Sequence, residues 1–183
     1  TVIHESRQGY NFAIKRGFDD ATGDIIACTD ADTRVPSDWI SRIVTILSKN
    51  SSAVACSGTF SFLDGPFWLK CVGILGRLNY HLAGANMAVL RSAYQQCGGI
   101  SLKVNLGEDV DLGIRLKKFG KVIIDRSLVV ETSSRRFQCA FWETIVRYYL
   151  NDASLLLRGK PIFYSFKDYS INLSRINKPW KIG

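Results

Sequence analysis

Two apolar periods alternate along the chain. Residues 24–29 carry the unbroken run Ile25-Ile26-Ala27-Cys28, which predicts a strand buried on both faces, as in a parallel sheet. Behind Pro36, a residue suited to a helix start because it has no N–H to leave unbonded, Trp39, Ile40, Ile43, Val44 and Leu47 recur at helical spacing. Residues 51–62 read as a further strand, and residues 1–5 as a short one. Between residues 9 and 21 the spacing predicts a helix with Gly9, Ala13, Gly17 and Ala21 on one face. Each interior glycine costs such a helix about 1 kcal/mol, so close packing of that stripe against a sheet is expected. Strand, helix, strand, helix, strand is the order of an α/β domain.

The second half is less regular. Asp64-Gly65-Pro66 is a turn, residues 67–82 are helical in part, and residues 84–90 form an apolar strand or turn. Ser92 is placed to cap a short helix ending at Gly98-Gly99. Residues 107–119 predict a helix with Glu108, Asp109 and Asp111 in its first turn and Lys117 and Lys118 in its last, the polarity that the helix dipole favours. Residues 121–130 read as one or two strands. Residues 138–157 read as a long helix, with Phe137, Phe141, Ile145 and Tyr148 on one face.

Composition changes this picture little. The 183 residues are 46% hydrophobic and 22% charged, ordinary for one globular domain and unlike a disordered tail. No apolar run reaches the length of a membrane span, and nothing at the start reads as a signal peptide. Five cysteines, with no C-x-x-C pair, signal neither zinc nor a disulfide framework, which fits a reducing, cytoplasmic compartment. Most of them sit among apolar neighbours and read as small buried hydrophobes. The +8 net charge favours an anionic partner. A nucleic acid ranks far behind, because no recognition helix, RRM or zinc signature accompanies the charge.

Three clusters carry chemistry. Asp30-Ala31-Asp32 follows an apolar strand, where open α/β sheets place ligands, and paired hard oxygens there suit Mg²⁺ or Mn²⁺. Solvated turn aspartates are the plain alternative. Glu108, Asp109 and Asp111 exceed what a helix start needs, and their repulsion raises at least one pKa; a carboxylate facing a cleft is a natural base for a hydroxyl. Ser133-Ser134-Arg135-Arg136 offers paired arginines for phosphate, or else a solvated pair before a helix. His4 and His81 have no partner at metal-ligand spacing and read as structural.

Gly9-x-x-x-Ala13-x-x-x-Gly17-x-x-x-Ala21-x-Gly23-Asp24, followed by Thr29-Asp30-Ala31-Asp32-Thr33 and Pro36-x-x-Trp39, resembles the central block of family 2 glycosyltransferases. Gly84-Ala85-Asn86-Met87-Ala88, Gly98-Gly99-Ile100 and Glu108-Asp109-Val110-Asp111-Leu112-x-x-Arg115-Leu116 resemble the same family's acceptor-side block, in the family order. The resemblance implies a GT-A fold: a mixed, mainly parallel sheet with flanking helices, incomplete at the amino terminus. The family's opening strand–helix–strand unit has no counterpart here, and residues 1–5 look like its third strand, so a fragment is expected. The later histidine or Q-x-x-R-W element is also not evident. Residues 1–136 would be the catalytic core, and residues 137–183 a helix and basic aromatic tail of the same domain.

By the same resemblance, Asp32 with Asp30 would hold Mg²⁺ or Mn²⁺ on the donor diphosphate, and Gly84, Ala85 and Asn86 would line the sugar pocket. Arg135 and Arg136 would neutralise leaving-group phosphate. Asp109, supported by Glu108, would deprotonate the hydroxyl of a saccharide or lipid-linked acceptor in an inverting transfer of the kind that builds envelope polysaccharide or glycolipid. A non-catalytic sugar-nucleotide-binding scaffold is the alternative. The tail from Arg158 to Lys181 is either a solvated cover or a peripheral contact with the inner face of a membrane.

Overall fold

The computed structural model describes residues 1–69, 81–104 and 106–163. Its elements are α1 (Tyr10–Asp20), β1 (Ile25–Cys28), β2 (Thr33–Arg34), α2 (Trp39–Lys49), β3 (Ala53–Phe62), β4 (Met87–Leu90), α3 (Arg91–Gln96), α4 (Glu108–Leu116), β5 (Lys121–Thr132) and α5 (Arg135–Arg158). The strands form one mixed sheet in the order β1-β4-β3-β5-β2.

Period-two alternation divides the core between the two faces of that sheet. In β4, Met87 and Val89 point one way, into a cluster with Phe18 of α1, Tyr94 of α3 and Leu112 and Leu116 of α4. Ala88 points the other way, toward Trp39, Ile43 and Leu47 of α2 and Leu128 and Val130 of β5. Helices thus cover both faces, as an α/β layer arrangement requires. The Phe18 and Tyr94 rings lie 5.2 Å apart, which anchors α1 to α3.

Several expectations need correction. The sheet is mixed, but it is not mainly parallel among the described residues: only β3 and β5 run parallel, while β1/β4, β3/β4 and β2/β5 are antiparallel. β1 is an edge strand and only half-buried, because its outer flank has no strand partner among the described residues. Residues 1–5 are irregular and mostly exposed, and form no strand. The small-residue stripe of α1 also faces outward: Gly9, Ala13 and Gly17 are exposed, and a Cβ on Gly17 would meet nothing within 4 Å. α1 packs instead through Asn11 and Phe18.

Smaller shifts follow from local geometry. α2 begins at Trp39 and buries Trp39, Ile43 and Leu47, leaving Ile40 and Val44 outside. α3 is capped by Leu90, so Ser92 lies inside its first turn. α4 ends at Leu116, ahead of Lys117 and Lys118, and Gly107 at its start takes φ 83°, a left-handed value that favours glycine. α5 starts three residues early, so Arg135 and Arg136 form its first turn. A kink at Ala140 (φ −155°, ψ 63°) divides it. Among the described cysteines, Cys28, Cys56, Cys97 and Cys139 are free thiols, of which only Cys56 is fully buried and Cys139 is exposed. The tail beyond residue 163 and most of residues 67–82 lie outside the described residues.

Candidate active site

Where β1 ends, the Thr29 hydroxyl donates to the Ala85 carbonyl at 2.9 Å, tying the strand's exit to the Gly84-Ala85-Asn86 turn. Asp30 follows, half-buried. Burial pushes its carboxyl pKa up, as do the charges of Asp32 and Asp109, while the Arg136 guanidinium and a hydrogen bond from the Tyr10 hydroxyl oppose that rise. Asp32 comes two residues later. Its Oδ2 lies 3.3 Å from Arg135 Nη2, and its carbonyl accepts from the Ser133 N–H. The pairing of Thr33 with Thr132 across β2 and β5 makes this possible: it carries Ser133-Ser134-Arg135-Arg136 onto a turn a hundred residues earlier in the chain. Asp64 fixes the other side of that segment, accepting from the Ser134 N–H and Oγ at 2.6 Å each.

From the opposite side comes the start of α4. Asp109 Oδ2 accepts from the Gly84 N–H at 2.9 Å, and its Oδ1 from the Val110 N–H at 2.8 Å. Burial raises the Asp109 pKa. His81 and the two N–H donors pull it back, and Asp152 adds to the rise. Glu108 is buried beside it, and desolvation with the Asp109 charge holds its carboxyl well above the ordinary glutamate range. Asp111, the third acid, turns away to pair with Arg115 at 2.7 Å. Its role is structural, since Arg115 in turn ties the Cys97 and Gly99 carbonyls.

Gly84 is the meeting point. A Cβ there would lie 3.3 Å from the Tyr10 hydroxyl and 3.7 Å from Asp109 Oδ2. Tyr10, whose hydroxyl donates to Asp30, thus meets Asp109 there, and the charges of Asp109 and Arg136 reach Asp30. Arg136 also donates to the Tyr148 hydroxyl of α5. An open groove of about 570 Å³ runs from Asp30 and Tyr10 along the free edge of β1, between Ile14, Gly17 and Phe18 of α1 and the strand itself.

Asn86 is not brought to the site. It is 1% exposed, its Oδ1 accepts from Trp39 Nε1 at 2.9 Å, and its Nδ2 donates to the Thr59 and Leu128 carbonyls at 2.9 and 2.8 Å. Its amide locks α2, β3 and β5 together, which does not fit a place in a sugar pocket. Tyr10 and His81 are additions. The Tyr10 pKa is pushed above its ordinary value by burial and the carboxylates around it. His81, read as structural, has its Nε2 3.2 Å from Asp152 Oδ2 and its Nδ1 2.6 Å from the Leu82 carbonyl. Acceptors at both nitrogens favour the imidazolium and raise its pKa against desolvation. Its spacing, three residues before Gly84, was the available sign.

Among the described residues no group of three or more His, Cys, Asp or Glu side chains is set to hold a cation. Asp30 and Asp32 nonetheless fit one: they are adjacent hard oxygen donors whose mutual repulsion a divalent ion would relieve, and such ions commonly use only one or two carboxylates.

A mixed sheet flanked by helices, with paired carboxylates at a strand exit near an acidic helix start and two arginines, defines an α/β domain with an acidic site at its sheet edge. Residues 1–97 match the model of Glycosyl transferase family 2, and the chain belongs to that family. Its fold is that of GT-A glycosyltransferases. It superposes on the mannosyltransferase PcManGT from Pyrobaculum calidifontis, solved with GDP-Man and Mn²⁺, with TM-score 0.63 and 20% identity, covering 88% of this chain and 48% of that one. Glucosyl-3-phosphoglycerate synthase from Mycobacterium tuberculosis, with Mn²⁺, UDP-glucose and phosphoglyceric acid, gives 0.58 at 17% identity, covering 86% and 57%. GalNAc-T7 with UDP, GalNAc and Mn²⁺ gives 0.55 at 14%, covering 89% and 40%. The chain thus spans about half the length of the solved structures it resembles. No curated protein matches it in sequence.

Proposed function

We propose that this domain transfers a sugar from a nucleotide-diphosphate donor to a hydroxyl acceptor with inversion, using Asp109 as base. The observation that supports the reading is the meeting at Gly84 of Asp109 with Tyr10, whose hydroxyl donates to Asp30, residues far apart in sequence. The Gly84 and Val110 N–H groups hold the Asp109 carboxylate in one orientation. There it accepts the proton of the acceptor hydroxyl as that oxygen bonds to the anomeric carbon. Opposite attack breaks the bond to the diphosphate and inverts the centre. Glu108, its pKa raised by burial and the Asp109 charge, lies beside Asp109 to contact the acceptor. Arg135 exchanges its contact with Asp32 for the departing phosphate, and Arg136 adds charge from α5. Asp30 and Asp32 would hold Mg²⁺ or Mn²⁺, which when bound neutralises diphosphate charge.

The acceptor is a saccharide or a lipid-linked hydroxyl. Titration of UDP and GDP with and without Mn²⁺, on the wild type and on Asp32→Ala, tests the donor half. Metal-dependent binding lost in the variant is expected; binding that ignores both metal and Asp32 would remove the assignment. Release of nucleoside diphosphate from UDP-glucose or GDP-mannose then separates an enzyme from a scaffold, which would bind without turnover.

A further inference from the structure

α5 turns polar side chains inward. Thr144, Asn151 and Ser154 are buried along it with Leu155, while Trp142, Val146, Tyr149 and Leu157 stay outside. One turn, from Asn151 to Leu155, carries most of this inversion, because it is seated on the start of α4. Asn151 Nδ2 donates to the Leu106 carbonyl at 2.6 Å, and its Oδ1 accepts from the Ile162 and Phe163 N–H groups. Leu155 packs with Val104 and Val110. Gly107, the residue before Glu108, leaves room for this turn: a Cβ there would lie 2.6 Å from Leu155 Cδ1 and 3.9 Å from Asp152 Oδ1.

Asp152 spends its other oxygen on a second segment. Its Oδ2 lies 3.2 Å from His81 Nε2, and His81 Nδ1 lies 2.6 Å from the Leu82 carbonyl. Acceptors at both ring nitrogens require both to carry protons, which makes the ring an imidazolium. Leu82 is fully buried and packs where Gly113 of α4 lacks a side chain. Two residues further on, Gly84 donates its N–H to Asp109 at 2.9 Å. Asp109 is thus held by the 81–84 segment and by its own helix start, and Asp152 lies against both.

The charges divide in the same way. Asp109 shares its surroundings with Glu108, with Asp152 and Tyr148 of α5, with Tyr10 of α1, and with Cys28 and Asp30 at the end of β1. These are acids, hydroxyls and a thiol. Arg136 relieves Asp30 and Glu108. For Asp109, burial raises the pKa and the His81 charge is the largest influence against it. We propose that the Asp152–His81 pair positions the base: it braces the Gly84 segment against the start of α4 and holds a positive charge toward Asp109, keeping the buried carboxylate ionised and ready for a proton. The proton-taking clause rests on the transfer reading above; the coupling of His81 to Asp109 does not.

The test reads that coupling from both ends, on the full chain. The sequence holds two histidines, His4 and His81, so their ring protons can be followed by NMR against pH, with His4→Gln assigning them. The wild-type His81 ring should titrate above the ordinary value of about 6.5. Its midpoint should fall by about one unit in Asp109→Asn, and also in Asp152→Asn. His81→Gln keeps a donor toward Asp152 and removes the charge. Its acid limb of kcat/KM for nucleoside diphosphate release should move to higher pH by the shift that Asp109→Asn gives the ring, with UDP affinity held, since one coupling acts on both groups. A wild-type ring at or below the ordinary value overturns the proposal. So does a midpoint unmoved in Asp109→Asn or an acid limb unmoved in His81→Gln, even if the variants melt lower; the pair is then only a structural tie. A ring shift with no turnover in the wild type removes the transfer reading and leaves the pair.

Discussion

Asp109 and Asn86 both lie near Gly84, and their surroundings give them opposite work. Asp109 keeps its oxygens on two N–H donors that orient it, while burial makes it a stronger base. Asp109→Asn keeps the shape and removes the proton acceptor, so kcat should fall about 10²–10⁴-fold while UDP affinity holds. Because its folded pKa is raised, the acid limb of the kcat/KM profile should lie above the ordinary aspartate value. An equal loss of nucleotide binding would show that Asp109 serves the donor instead. Asn86→Ala has another outcome. It strands the Thr59 and Leu128 carbonyls and the Trp39 indole, at a loss of about 3 kcal/mol or more. Thermal melts should show that as a fall of roughly 6–12 °C. An unchanged melting point with lost nucleotide binding would return Asn86 to the donor pocket.

At the scale of elements, two glycines separate helix propensity from packing. Gly58 lies in β3 at the register shift between Ser57 and Thr59, and a Cβ there would overlap the Leu128 carbonyl and the Asn86 amide. Gly17 lies in α1 with open space around its missing Cβ. Gly58→Ala should therefore destabilise the domain by about 3 kcal/mol or more, as backbone strain and overpacking do. Gly17→Ala should stabilise it by up to about 1 kcal/mol, since only propensity changes. Urea unfolding of both variants measures this contrast. A destabilised Gly17→Ala would mean that the outer stripe of α1 touches something in solution. Helix α5 shows the same logic from the other direction: its apolar face carries a helical period as regular as that of α2, yet faces outward.

Over the whole molecule the acids are unevenly spent. Asp19 and Asp20 make helix-surface ion pairs, which contribute little. Asp30, Glu108 and Asp109 are crowded together under burial, and all three pKa values are raised. A carboxyl with a raised folded pKa binds more protons folded than unfolded, so stability falls as pH climbs from the unfolded value toward the folded one. Glu108→Gln removes that penalty. It should raise the melting temperature by a few degrees (about 2–4 °C per kcal/mol) at pH 8, with the gain vanishing near pH 4. A gain independent of pH would mean that charge is not its source. Mn²⁺ with UDP should narrow the same difference if the cation sits on Asp30.

Much of this was legible in the order of residues. The 3.6-residue period of Trp39, Ile43 and Leu47, the apolar run before Asp30 and the acidic start of α4 are local patterns, and local patterns set element type, family resemblance and most of the candidate residues. Pairing direction, edge position and facing were not legible. β1 reads as buried because its composition is apolar, and is half-buried because no strand lies outside it. Asn86 matches a motif, and its role follows from Trp39, Thr59 and Leu128, which no spacing connects to it. Tyr10 and His81 are isolated in sequence and meet the acids only through the fold. The sequence by itself determined which residues could do chemistry. Which of them face one another was decided by tertiary contacts across the sheet, because hydrogen bonds and charges act through space over a few ångströms, whatever the distance along the chain.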